Sequence, residues 1–330
     1  MRAKELRRAA LAVALVLAVW PAGSVRALAA GYPDRPIKLL VGFGAGGGSD
    51  IVARILASKM SESLGQSVIV ENRTGASSMV AAADVAKSPP DGYTLMMGTQ
   101  TTFAVAPILY RKTVTLDPAK DFAAVTLTGV SPLMLVANPA FAAHTIADVI
   151  TMAKANPGKI NFGTGGVGTT PHMTAELFEH DAGIRMVHVA YRGEAPAIND
   201  AVAGQVPLMF ANLSAVMGHL KGGTLRGIAV TSAQRAPTAP GIPTVAETIP
   251  GFAAETWFGI VAPAGTARDI LERLNAAARE ALASADTKAR LAQLGMSNGS
   301  SSPEEFDAYI KSEITKWGRV IEDAHIEAAN

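Results

Sequence analysis

Ile37-Lys38-Leu39-Leu40-Val41-Gly42-Phe43-Gly44-Ala45-Gly46-Gly47-Gly48-Ser49-Asp50, with the amphipathic run that follows to Leu64, decides the fold. Residues 37–41 are a short apolar run, the pattern of a strand buried in a parallel sheet. Residues 42–49 are a loop with five glycines. Beyond it, Ile51, Ile55, Leu56, Met60 and Leu64 fall on one helical face, and Gly65 suits a left-handed stop. Residues 67–70 read as the next strand. A strand, a helix and a strand over this length make a βαβ unit.

The same design continues outward. Residues 79–86 form a short helix, Pro89-Pro90-Asp91-Gly92 a turn, and 93–97 a third strand that ends in Gly98-Thr99-Gln100. Residues 125–136 read as a strand crossing between two lobes, interrupted at Ser131-Pro132. The middle section predicts helices over 145–156, 170–180 and 196–203, and strands over 159–162, 186–191, 206–211 and 225–231. Residues 256–262 are the return crossing, closed by Pro263. Helices follow over 266–283, 286–294 and 303–327, the last opened by Ser302 as cap and Pro303 at the first helical position. Trp257 and Phe258 read as core, and Trp257 is also placed to wall a cleft at the hinge.

The N-terminus bounds the compartment. Arg2, Lys4, Arg7 and Arg8 precede twelve unbroken apolar residues over 9–20, and Ala27-Leu28-Ala29 offers a small-x-small cleavage site. This is the pattern of a secretory signal peptide cut after Ala29, and it places the mature chain in the periplasm. Twelve apolar residues fall short of the about 20 that span a bilayer. Setting 1–29 aside takes five basic and one acidic side chain from totals of 29 and 28, which leaves the rest at net −3. The basic balance of the whole chain belongs to the export signal, and no nucleic-acid partner is expected. There is no cysteine, hence no disulfide framework and no thiolate metal site. The core alone must stabilise about 300 mature residues, most naturally as two lobes.

Two turns carry the chemistry. The first contains Phe43, Gly44, Ala45, Gly46, Gly47, Gly48, Ser49 and Asp50. Glycines let the backbone approach a ligand and take positive φ, and a helix start carries roughly half a positive charge. Ser49 or Asp50 is expected to cap the helix, with Asp50 paired to Arg54 one turn on. The second contains Thr164, Gly165, Gly166, Val167, Gly168 and Thr169, followed by Thr170 as N-cap, Pro171 at the first helical position and His172 in the first turn. Its free amides are expected to form a second anion cradle facing the first. Thr164 and Thr169 add hydroxyls, and His172 either touches the ligand or supports the loop. Apart from His172 neither turn has a basic side chain, so a carboxylate would be read by backbone amides and water. Bulk at Gly47, placed where φ is expected to be positive, or at Gly166 is expected to weaken binding. The contrary reading of each turn is a tight bend that binds nothing.

A rival reading is an NAD-binding oxidoreductase. Gly42, Gly44 and Gly47 match the dinucleotide fingerprint between a strand and a helix, and Glu71 stands where such folds place the ribose acid. Against it, the fingerprint is short and the chain carries an export signal. A Walker loop is excluded because no Gly-Lys-Ser/Thr follows the glycines, and neither a G-x-S-x-G elbow nor an H-E-x-x-H motif is present. The six histidines lack metal-ligand spacing within one helix. No catalytic residue, metal or cofactor is expected.

Several blocks together resemble one family. They are Tyr32-Pro33-Asp34-Arg35-Pro36-Ile37, Gly46-Gly47 through Asp50, Val70-Glu71-Asn72-Arg73, Pro90-Asp91-Gly92-Tyr93-Thr94-Leu95, Asn156-Pro157-Gly158 and His188-Val189-Ala190-Tyr191-Arg192-Gly193. In this order they are similar to the tripartite tricarboxylate transporter receptors, also called Bug receptors, over essentially all of 32–325. The resemblance implies an α/β fold of the two-lobed, Venus-flytrap binding-protein kind with two crossing hinge segments. Lobe one is expected over 30–129 plus 255–330 and lobe two over 130–254. It implies a small organic carboxylate as ligand, held by backbone groups and waters at the two turns, and a two-component membrane carrier as partner to a monomeric receptor. Gly98, Thr99 and Asn212 are implied at strand ends that look toward the same cleft. The chain departs from the family pattern at Ser77-Ser78, where glycines are usual, at Ala190 in place of proline, and at Pro207 in place of aspartate.

Overall fold

The computed structural model describes residues 31–111, 115–323 and 326; the export segment expected over 1–29 lies outside them. Strand β1 (Ile37–Val41) lies between β2 (Val68–Asn72) and β3 (Thr94–Thr99), parallel to both. Every residue of β1 except Lys38 is buried, as its apolar run requires. The long strand β4 (Phe122–Ala137) leads to a second set: β5 (Asn161–Thr164), β6 (Val187–Ala190), β7 (Leu208–Asn212) and β8 (Arg226–Val230). Strand β9 (Glu255–Pro263) returns between β3 and β4, antiparallel to each. The order is β2-β1-β3-β9-β4-β7-β5-β6, with β8 and the short β10 (Ser297–Asn298) also paired to β4.

Strand β4 is the shared spine. It pairs with β9 as far as Pro132, opposite Glu255. From Leu133 it pairs with β7 and β8. The interruption expected at Ser131-Pro132 does not occur. Pro132 stands where the ladder changes partner, a point at which a missing N–H is tolerated.

The helices are α1 (Gly48–Leu64), α2 (Met79–Ala86), α3 (Ala106–Leu109), α4 (Ile146–Ala155), α5 (Thr170–Ala182), α6 (Glu194–Val202), α7 (Leu213–Lys221), α8 (Arg268–Ala283), α9 (Ala285–Gln293) and α10 (Pro303–Asp323). Gly65 ends α1 at φ 70°, as its position predicts. Helix α7 and the wide π turn Thr101–Val105 were not anticipated from the sequence pattern. One core packs α1 and α8 on the first set of strands through Val41, Leu56, Ile260 and Leu274. Another joins Leu135, Phe162, Phe178 and Phe210 on the second set. Helix α10 belongs with the first set: Phe306 packs edge-on against Trp257, and Glu313 accepts hydrogen bonds from the indoles of Trp257 and Trp317 at 3.2 and 3.1 Å. Ser302 caps α10 in a reciprocal box with Glu305.

Candidate functional site

Strand β1 delivers the first turn to the middle of the molecule. Gly47, extended at φ −79°, is the N-cap of α1 and offers no side chain to the cap. The positive φ falls on Gly46, at 80°, not on Gly47 as expected. Neither Ser49 nor Asp50 caps the helix. Asp50 instead turns its buried carboxylate back into the loop, where it accepts from the N–H of Gly46 at 3.0 Å, from Asn72 Nδ2 at 2.9 Å and from Arg54 at 2.9 Å. Burial alone would raise its pKa, but these hydrogen bonds outweigh burial and hold the carboxyl below its usual range. Asn72 also donates to the carbonyl of Phe43 at 2.9 Å. The first turn is therefore shaped from behind by Asp50 and Asn72, and the N–H groups of Ser49 and Asp50 have no acceptor among the described residues.

The second turn differs from the expectation of an equivalent cradle. The N-cap of α5 is Thr169, not Thr170, and Pro171 falls at the second helical position. The N–H of Thr170 donates to Thr101 Oγ1 at 2.8 Å, Pro171 has none, and the N–H of His172 donates to Thr169 Oγ1 at 3.5 Å. The start of α5 is thus satisfied by the protein itself. Thr170 Oγ1 lies 3.2 Å from Thr101 Oγ1 and accepts from Thr256 Oγ1 at 3.1 Å, a hydroxyl cluster assembled from three separate segments. His172 works as loop support: its Nδ1 accepts from the N–H of Gly168 at 3.1 Å and its Nε2 meets Glu176 at 3.2 Å.

The free start of α1 faces a carboxylate. Glu194, first residue of α6, accepts from the N–H of Gly48 at 3.4 Å. It also accepts from the N–H of Asn212 at 2.6 Å and from Asn212 Nδ2 at 3.1 and 3.0 Å. Its burial pushes its pKa up, and the bonds from Asn212 and Gly48 only partly offset this. The Asn212 amide oxygen is buried and finds no partner among the described residues.

These groups enclose a cavity of about 40 Å³, more than the roughly 10–15 Å³ one water requires. Phe43, Gly44, Gly47, Gly48, Ser49, Thr99, Gly165, Thr169 and Asn212 line it, all expected from the sequence. An outer groove of about 510 Å³ shares Phe43, Gly44 and Gly165 and adds Gly166, Val167 and Arg192. Its far wall includes Ala76, Ser77 and Ser78, held at φ 44°, 51° and 78° where glycines would sit freely. Ser77 Oγ donates to the carbonyl of Val167 across the groove. Ala45, Gly46, Asp50, Thr164, Gly168 and His172 line neither space; they build the turns. Gly98 lines neither because the Phe103 ring occupies the position of its missing Cβ.

Thr101, Glu194, Thr256 and Phe258 line the inner cavity without having been anticipated. Trp257 points into the core and Phe258, one residue on, into the cavity, as the alternation of a strand demands. A signal for Glu194 was present: Tyr191-Arg192-Gly193-Glu194 is a third strand–glycine–helix turn, with an acid at its first helical position.

A family model described as tripartite tricarboxylate transporter family receptor matches residues 52–326. A UPF0065 protein from the tcbD–tcbE intergenic region of Pseudomonas sp. is 36% identical over 299 residues, covering 90% of this chain and 88% of its own. The structure of R. palustris Rpa4515 with adipate superposes with a TM-score of 0.87 at 36% identity, covering 90% of this chain and 99% of that one. MatC from Rhodopseudomonas palustris with bound malate gives 0.84 at 30%, covering 88% and 100%.

Proposed function

The chain belongs to the tripartite tricarboxylate transporter receptor family, and from that premise we propose that it is a periplasmic receptor that captures a small organic carboxylate between its two glycine-rich turns and delivers it to a two-component membrane carrier. The observation that carries the ligand class is the start of α1. Two N–H groups with no acceptor among the described residues, Ser49 and Asp50, stand at the positive end of a 17-residue helix beside a cavity that those residues line with hydroxyls and with no basic side chain. Adipate and malate in the two similar structures support the same class.

In this reading residues 1–29 are the export signal, 30–129 with 255–330 are lobe one, and 130–254 are lobe two. Among the described residues no helix is long and apolar enough to cross a membrane. Glu71, the acid of the dinucleotide reading, is engaged by Lys38 at 3.3 Å. The receptor works as a monomer without cofactor. Thermal shift of the purified protein against a panel of organic acids tests the proposal. A true ligand at 100 times its dissociation constant adds about 2.7 kcal/mol to stability. Turnover of a bound acid, or tight NAD binding by calorimetry, would overturn it.

A further inference from the structure

We propose that Glu194 makes this receptor selective for carboxylates that carry a protonated nitrogen, so that it takes an amino acid in preference to the plain acid of the same skeleton. The inference rests on the carboxylate reading above and narrows it.

Among the described residues Glu194 is the only acidic or basic side chain lining the inner cavity, and both of its oxygens accept hydrogen bonds, as those of an ionised carboxylate do. Every donor it meets is neutral: the N–H of Gly48, the N–H of Asn212 and the Asn212 side-chain amide. No Lys or Arg among the described residues pairs with it. The positive ends of helices are worth roughly half a charge each. Glu194 sits at the start of its own helix, α6, and reaches the start of α1. One carboxylate already balances those two half charges. A plain ligand carboxylate brought beside the desolvated Glu194 adds a negative charge with no positive complement. A ligand with an ammonium group beside its carboxylate brings its own complement. The carboxylate takes the free N–H of Ser49, which lines the cavity at the start of α1, and the ammonium faces Glu194.

A second acceptor in the same wall wants a donor. With the Asn212 Nδ2 committed to Glu194, the Asn212 amide oxygen is left buried and unpartnered among the described residues. An ammonium has three N–H donors to distribute, so Glu194 Oε2, whose bond from Gly48 is a long 3.4 Å, and Asn212 Oδ1 can both be served. A plain diacid has no donor to offer either of them.

Matched pairs test this on the purified protein: aspartate against succinate, glutamate against glutarate, and further amino acids against their deaminated skeletons. Thermal shift selects the pairs that bind, and calorimetry at pH 7 measures both members. The expected result is at least about tenfold tighter binding of the amino member. In Glu194→Gln, nearly isosteric and uncharged, that ratio collapses toward unity and the plain acid gains. Equal or tighter binding of the plain acid by the unaltered protein overturns the proposal, as does an unchanged ratio in Glu194→Gln. So does binding of a plain acid with uptake of one proton, which makes Glu194 a protonated donor to an anion. If Glu194→Gln does not fold, the ratio in the unaltered protein decides alone. If no acid of either kind binds, the carboxylate reading itself fails, an outcome distinct from a wrong preference among acids.

Discussion

The imidazole of His172 lies against that of His188, with ring centroids 4.0 Å apart and planes 22° from parallel. His188 Nε2 is 2.6 Å from Thr164 Oγ1, so the stacked pair props the second glycine turn from beneath. Burial, with His172 beside it, pushes His188 down to about 3.

That relationship has a pH consequence. An unfolded histidine takes up its proton near pH ~6.5. Between that pH and about 3 the unfolded chain holds a proton that the native His188 does not, so stability falls as pH drops through the window. Glu179 acts in the opposite sense. Burial raises its carboxyl from 4.5 to about 7, so over that range the native state holds the extra proton and stability falls as pH rises. The two slopes oppose each other where the windows overlap. Denaturant midpoints at pH 7 and pH 5 should show His188→Gln gaining relative to the parent on acidification, and Glu179→Gln losing. Parallel curves for all three proteins would contradict both assignments.

Of the two glycines where α1 begins, Gly48 is the more crowded. A Cβ on Gly48 would meet Ser214 Oγ at 3.0 Å and Asn212 Cβ and Phe258 Cζ at 3.4 Å, whereas one on Gly47 finds its first neighbour at 3.5 Å. Gly48→Ala should therefore wedge α1 away from Asn212 and weaken ligand binding by about tenfold or more, equivalent to roughly 1.4 kcal/mol. The urea midpoint of the variant, measured first, shows that it is folded. Calorimetry that finds Gly47→Ala more damaging than Gly48→Ala would reverse this ranking.

Removing the strut behind the first turn should cost stability and affinity together. Asp50→Ala strands the N–H of Gly46 and takes from the Asn72 amide one of its two acceptors, leaving it the carbonyl of Phe43. Its loss should be about 2–3 kcal/mol, with little of it from the half-exposed Arg54. Ser49→Ala, whose side chain makes no hydrogen bond among the described residues, should change the urea midpoint little. Similar midpoints for both variants would show that Asp50 does not shape the loop.

With the ligand site proposed above, ligand entry requires the two halves to move. The inner cavity, at about 40 Å³, has room for a few waters at the roughly 10–15 Å³ that each requires. Polar links across the cleft include Gly48 to Glu194 and Thr101 to Thr170, each of modest strength. Small-angle scattering should give a smaller radius of gyration with saturating ligand than without, as lobes that rest ajar close around it. An unchanged radius with independently confirmed binding would mean a preformed site.

Much of the fold was legible because its signals are local. The βαβ opening, the Gly65 stop and the Ser302–Glu305 cap are each written within one or two turns of chain, and the structure places them there. The position of the glycine turns follows from the same periodicities, and that of Asn212 at a strand end from the family resemblance. Which amides in those turns stay free is a different kind of question, because hydrogen-bond accounting is global. The start of α5 has the same sequence marks as an anion cradle, yet Thr101, 69 residues away, closes it. The start of α1 stays open except for Glu194, brought from 146 residues downstream by the return of β6 into the second set of strands. Residue types and spacing alone determined the opening strand–helix–strand unit, the two glycine turns and the residues that build them. Only the tertiary structure decided that the two turns are unequal, and that an acid rather than a base lines the cavity between them.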